Sequence, residues 1–362
     1  MIINKYLFRE VLFTLLAVTL VLMLIFLSGR FLRFLMDVAA GALPMSEVLG
    51  LVLLKSTASL AIVVPLALYI AVLLGLSRLY KDNEMTALAA CGVGVDRVMK
   101  TVGVFALVVA VPVALLSLWI APWAEAASRG MIERAQATVD IEAFGAGRFH
   151  EVRGSDAVFY VERVEPGSRM GRVFVMARVD GREDMVVAER AYQQADPATG
   201  ERVLVLENGY RYEGAPGSAD YRMLEFQRHT VRLREPEVEV AHRRLRELPT
   251  TALLGSQDRE ERAELQWRLA APVSAVLMAL LAVLLSRTSP RQGRYGKLFV
   301  AILVYVIYNN LLNVARTWLE RGVVPEVVGM WWVHGALALI VAVALARELG
   351  YLRGARAARA AA

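Results

Sequence analysis

Six apolar runs decide what this chain can fold into. They are Val11–Ser28, about Val48–Leu76, about Thr101–Ala121, about Leu269–Leu285, about Leu298–Val314 and about Val328–Ala346. The first carries no charge at all, and the second carries only Lys55. Each reaches or nearly reaches the ~20 residues that a helix rising 1.5 Å per residue needs to cross a ~30 Å hydrocarbon layer. The runs fall three before and three after a polar middle third, so the sequence predicts two membrane halves around one inserted domain. Composition agrees: 57% of the residues are hydrophobic, against ~45–50% in an ordinary soluble domain. Val11–Ser28 resembles a secretory leader, but it lacks an A-x-A cleavage site and runs straight into Arg30 and Arg33. A retained span is expected.

The basic residues set an orientation. Lys5 and Arg9, then Arg78, Lys81, Arg97 and Lys100, then Arg287, Arg291, Arg294 and Lys297, then Arg347, Arg353, Arg356 and Arg359 all fall on one side of a six-span arrangement. Retention of short basic loops on the cytoplasmic side places that side, with both termini, in the cytoplasm. The opposite short loops hold only Arg30 and Arg33, and Arg316 and Arg321. The long insert then lies outside, in a bacterial cell the periplasm, since large domains cross regardless of their own charge. The net charge of +6 is thereby explained by membrane topology rather than by nucleic acid. The single cysteine, Cys91, rules out an intrachain disulfide.

The expected organisation is a first helical half over residues 1–121, an insert over 122–268, a second helical half over 269–348 and a cytoplasmic tail over 349–362. The insert alternates apolar and polar residues at period two in DAVFYVERV, GRVFVMARVDG, DMVVAERAYQQ, ERVLVLENGYRYEG and YRMLEFQRHTVRL, separated by EPGSRMG, ADPATG and GAPGSAD. Short strands at this spacing suggest an all-β sandwich or jelly roll. DREERAELQWR (Asp258–Arg268) reads as an amphipathic approach to the fourth span.

Motifs for catalysis are missing. The four histidines (His150, His229, His242, His334) show no HExxH and no metal-ligand spacing. QGRYGKLF has Gly-Lys without the upstream glycine or the following Ser/Thr of a phosphate-binding loop. The chain is therefore read as no enzyme, binding no cofactor or metal, and driven by some other component. One segment is suited to that contact. SRLYKDNEMTALAACGVGVDRVMK (Ser77–Lys100) joins the second and third spans, mixes basic and acidic residues and carries a helix-like patch over about 80–92. It is either a docking surface or a solvated loop.

The strings MIINKYLFREV, GRFLRFL, SRLYKDNEMTALAACG, RAELQWRLAAP and SPRQGR, in that order, resemble the permease subunits of the lipopolysaccharide export ABC transporter, the LptF/LptG (YjgP/YjgQ) family. AELxWR, PRQGR and the ACG after the patch resemble the LptF branch more than its paralogue LptG. The likeness runs the length of the chain. It implies a jelly-roll periplasmic insert, an LptG-like paralogous permease beside this one, an LptB-like ATPase dimer holding the ATP and Mg, and an LptC-like single-span jelly-roll partner in the inner membrane. It also implies that the patch is a coupling helix. Glu84 stands where the family keeps an acid facing the ATPase, with Met85, Leu88 and Ala89 as an apolar ridge and Tyr80 as a further coupling residue.

The likeness places Arg30 and Arg33 at a lipopolysaccharide cavity and a lateral gate at the first and fifth spans; the other candidates are read from the residues themselves. Arg30 and Arg33, one turn apart, would meet lipopolysaccharide phosphates through bidentate guanidinium bonds; the plain alternative is snorkelling to headgroups. Lys55 and Arg316 would extend that basic rim. The family often has a proline near Lys55, where this chain has Thr57. Asn309, Asn310 and Asn313 in the fifth span would line a lateral gate, or simply hydrogen-bond between helices. Val158, Tyr160, Phe174, Val187 and Leu204 would form an apolar path inside the insert, or fill a closed core. The rival classes are a permease of another ABC system, for lipoprotein extraction or mechanotransmission, and a membrane scaffold with no transport role. The first rival generally puts its external domain between the first two spans, whereas three spans precede this insert.

Overall fold

The computed structural model describes residues 2–39, 43–138, 147, 149–152, 157–165, 169–179, 182–195, 202–214, 222–232, 245–287 and 294–349. Its helices include α1 (Ile2–Ala39), α2 (Met45–Lys81), α3 (Glu84–Ala90), α4 (Val95–Leu115), α5 (Ala121–Thr138), α6 (Thr250–Leu254), α7 (Arg259–Leu285), α8 (Arg294–Glu320) and α9 (Trp331–Glu348). Six stretches are long and apolar enough to span a membrane: α1, α2, α4 continued into α5, α7, α8 and α9. The six-span expectation holds. The chain divides into two compact units, one of residues 1–30, 52–128 and 245–362 and one of residues 31–51 and 129–244. The return segment 245–268 groups with the helices, its carbonyls at Leu245, Arg246 and Leu248 bound by Arg268 of α7.

In the helical unit, α7 is the centre, touching α4, α8 and α9. It can be approached closely because its buried side is small: Ala270, Ser274, Ala275, Ala279 and Ala282. Small residues let helix backbones come together where the hydrophobic effect gives no drive. Asp258 starts α7 by accepting a hydrogen bond from the Glu260 N–H at 2.9 Å, and Glu260 and Glu261 suit the positive end of the helix. Pro112 cannot donate to its helix, and a π-helical turn follows at Leu116–Ile120 between α4 and α5. The shared core gathers Leu7, Tyr69, Leu76, Phe105, Met278 and Leu312. Most of α1 remains uncovered, with Phe13, Leu16, Leu20 and Leu24 exposed.

In the second unit, Leu43, Leu51 and Ala135 form a small core with Phe34, Val38 and Met131. The insert holds strands β1 (Phe149–Val152), β2 (Ala157–Glu165), β3 (Arg169–Val179), β4 (Arg182–Ala195), β5 (Arg202–Gly214) and β6 (Arg222–Arg232). They form one antiparallel sheet in sequential order. The all-β insert is as expected; the Greek-key crossover of a jelly roll is not among the described strands. Pairing lapses along one transverse row, Glu162, Arg172, Glu189, Asn208 and Gln227, with unchanged register on both sides. Arg172 and Asn208 have left-handed backbones there (φ 48° and 52°). Buried residues fall three apart across the row, Met170 and Val173 on β3, Ala188 and Ala191 on β4. A strand alternates at two, so the pleat reverses along this crease.

Candidate functional site

Helix α3 is short and tied down at Glu84, at Met85 and at its C-terminal end. Asn83 precedes it with φ 59°, a conformation Asn tolerates. After it, Gly92 (φ 83°) donates to the Ala89 carbonyl at 3.0 Å and Val93 to the Leu88 carbonyl at 2.9 Å. This is a Schellman end, with Val93 buried. It explains the ACGV string: only glycine takes that φ without strain. Met85 inserts into the chain's own helical core, and Tyr80 and Leu88 pack partly against it. The expected apolar ridge for a partner is thus turned inward at Met85. The exposed side of α3 offers Thr86, Ala87, Ala89 and Ala90 instead. Glu84 is half-buried and accepts a hydrogen bond from the Tyr6 hydroxyl of α1 at 2.6 Å. Nearby, Arg78 of α2 donates to Glu10 of α1 at 2.8 Å. Tyr6 and Glu10 were not singled out by sequence reasoning; nothing in their local spacing marks them.

The four basic candidates have different surroundings. Arg30 donates to the buried Ser59 hydroxyl at 3.0 Å. Arg33 is exposed on α1. Lys55 is ion-paired with Glu125 of α5, and both are largely buried. Arg316 donates to Glu264 at 3.0 Å and to Glu320 at 2.8 Å, and its guanidinium lies 5.3 Å from the Trp267 ring centroid. Lys55 and Arg316 therefore have carboxylate partners within the chain, which the basic-rim reading did not include.

Arg316 leads to a cluster that sequence reasoning passed over. Glu264 and Arg268 are each only 3% exposed and pair at 3.0 Å on successive turns of α7. Arg268 also donates to the carbonyls of Leu245 at 3.0 Å, Arg246 at 3.2 Å and Leu248 at 2.9 Å, and to the Thr250 hydroxyl at 2.8 Å. Its own carbonyl accepts from Ser117 in the π-helical turn at 2.8 Å. A buried guanidinium needs all its N–H groups satisfied, and here the return segment satisfies them. The signal was available: in AELQWR the acid and the arginine stand at i and i+4, the spacing of a helical pair.

The three asparagines of α8 each donate back to the carbonyl four residues earlier: Asn309 to Tyr305, Asn310 to Val306 and Asn313 to Asn309. They make no interhelical bond among the described residues. Asn310 and Asn313 are exposed beside Ile307, Leu311 and Val314. Asn309 instead lines a small cavity of about 50 Å³ between α2, α7 and α8, with Pro65, Trp267 and Tyr308.

On the sheet, Phe149, Tyr160, Phe174, Val187 and Tyr210 stand in one register row across β1 to β5. Val158, Met176, Met185, Tyr212 and Met223 form the next row on the same face. This face is open: Val187 is 40% exposed and Met223 59%. Four of the five residues expected on an apolar path share it. Leu204 does not; it is buried on the other side of the pleat with Val161, Val186 and Leu206, because of the reversal at the crease.

Residues 5–347 match the family model described as lipopolysaccharide export system permease LptF/LptG. The chain belongs to the LptF/LptG permease family. It is 28% identical over 349 residues to the lipopolysaccharide export system permease protein LptF of Escherichia coli K12, covering 94% of each chain. The LptF protein of Shigella flexneri gives the same identity and coverage. The resemblance read from the motif strings is thereby confirmed along nearly the whole length. As an LptF/LptG chain, it is a multi-pass membrane protein of the permease class rather than an enzyme class.

Proposed function

We propose that this chain is the permease subunit of an ATP-driven exporter that takes lipopolysaccharide from the outer leaflet of the inner membrane and delivers it to a periplasmic β-bridge. The observation that carries the ATP-driven part is the seating of α3. Tyr6 holds Glu84 from α1, Met85 is sunk in the core and a Schellman end leads straight into α4. A short helix fixed to three others can pass an imposed rotation into the membrane. A solvated loop would have no need of these ties. The ATPase would be a separate LptB-like dimer, the second permease LptG-like, and an LptC-like protein would receive the lipid.

The open face of the sheet supports the lipid path. Each CH₂ exposed to water costs about 0.8 kcal/mol. Several acyl chains would cost on the order of tens of kcal/mol, so the lipid must move between apolar surfaces. Tyr160, Phe174 and Val187 would provide one, and Leu204 is withdrawn from that role. Arg33 is the leading contact for lipid phosphates, with Arg30 held ready by Ser59. Lys55 and Arg316 serve internal pairs first. Asn310 and Asn313 would face the gate.

The test is affinity purification from native membranes in mild detergent, comparing the wild type, Glu84→Lys and Tyr6→Phe. An ATPase and a paralogous six-span permease are expected with the wild type. Glu84→Lys should lose the ATPase. Tyr6→Phe keeps the carboxylate and should retain the ATPase while transport per ATP falls. A wild-type chain that comes out alone would defeat the proposal and favour a scaffold.

A further inference from the structure

A groove of about 460 Å³ lies between the first turns of α1 and of α4. Its polar end is made by Arg97, Lys100, Thr101 and Asn4, and its apolar end by Phe8 and Val104. Asp96 also lines it, leaving two cations against one acid. Arg97 and Lys100 are exposed, and neither side chain has a hydrogen bond or ion pair among the described residues.

What lies beyond the groove identifies its ligand. On α4, the face carrying Arg97 and Lys100 continues as exposed Val104, Val108, Val111 and Leu115. These positions recur at three and four, so they form one stripe. From Val104 to Leu115 the stripe runs roughly 16 Å, about half of a ~30 Å hydrocarbon layer. The polarity sequence, cationic end then one leaflet's depth of apolar surface, matches a molecule with an anionic head and long chains.

We propose that this groove binds an anionic phospholipid of the leaflet at the α1–α4 end, with the phosphate at Arg97 and Lys100 and an acyl chain along Val104, Val108 and Val111. Basic pockets between spanning helices recognise such headgroups through charge and hydrogen bonding. The assignment concerns a bulk membrane lipid and does not depend on which substrate is exported.

The experiment places the full chain, with the subunits that copurify, in nanodiscs of phosphatidylcholine with or without one-fifth phosphatidylglycerol, and counts retained lipids by native mass spectrometry. The wild type should retain phosphatidylglycerol in preference to phosphatidylcholine. Arg97→Gln/Lys100→Gln should lower that preference roughly tenfold or more. Arg97→Lys/Lys100→Arg should keep it, and so should Arg163→Gln/Arg190→Gln on the sheet, which removes equal charge elsewhere. Equal retention of both lipids by the wild type, or an undiminished preference in the glutamine double variant, overturns the proposal. So does displacement of phosphatidylglycerol by millimolar inorganic phosphate, which would make this a free-anion site. Loss of the preference together with loss of the copurifying ATPase would mean that the groove is covered by that subunit, and also overturns it.

Discussion

Arg268 and Glu264 show how much one residue can organise. Removing the guanidinium leaves a buried carboxylate shared only with Arg316 and frees the carbonyls of Leu245, Arg246 and Leu248. Breaking a buried pair on one side costs about 3–5 kcal/mol. Arg268→Ala should therefore sharply lower the thermal midpoint of the detergent-solubilised chain, while Glu264→Gln/Arg268→Met should recover part of the loss. His229 offers a second reading at this scale. Burial and the nearby Arg211 guanidinium lower its pKa below the ordinary histidine value, against Asp184 and Glu213, which pull it up. Arg211 is itself fixed on Asp184 through bonds of 2.9 and 2.7 Å. The unfolded chain takes up this proton near pH 6.5, and the folded sheet resists it. The unfolded state thus binds more protons below that pH. The contribution of His229 to stability is complete above pH 6.5 and is lost as pH falls through its depressed folded value. The urea midpoint for hydrogen-exchange protection of β5 and β6 should drop between pH 7.5 and 5, and His229→Gln should flatten that dependence.

Among the elements, the helices were readable because a charge-free run of twenty residues has few other fates. The strands were readable from their period of two. What escaped was where the period breaks. DAVFYVERV and ERVLVLENGYRYEG give no warning that Asn208 takes a left-handed backbone, since Asn is also common in plain turns. Leu204 was therefore counted on the wrong face, two residues from Leu206 in the buried set. Helix α3 was legible as a patch, but its inward face was not. Met85 and Leu88 have the same spacing whether they meet a partner or their own core. The sheet has a clear point of failure at Gly209. A Cβ there would stand 2.2 Å from the Val187 carbonyl oxygen and 2.6 Å from the Phe226 ring. Gly209→Ala should destabilise the insert by about 1–3 kcal/mol, seen as earlier proteolysis of the β-segment. A photoreactive residue at Phe174 should form lipid adducts in exporting membranes. The same residue at Leu204 should form none if the path follows the open face.

For the molecule as a whole, Cys91 is the one cysteine and it is exposed. It reports sidedness directly. A membrane-impermeant maleimide should label it in inverted vesicles and leave it unmodified in intact spheroplasts, if the α3 end is cytoplasmic. The uncovered apolar faces of α1 and α8 suit a paralogous partner. After Cys91→Ser, cysteines at Leu16 and Ile307 should cross-link this chain to that partner rather than to itself. The pairing of Lys55 with Glu125 bears on the chain's synthesis. The two lie 70 residues apart. At about 5–20 residues per second, translation supplies the acid roughly 4–14 s after the lysine. A lysine deep in a bilayer costs about 2.5–3.5 kcal/mol on insertion scales. The second span therefore enters the lipid with its charge uncompensated, and its settled position waits for the arrival of the third.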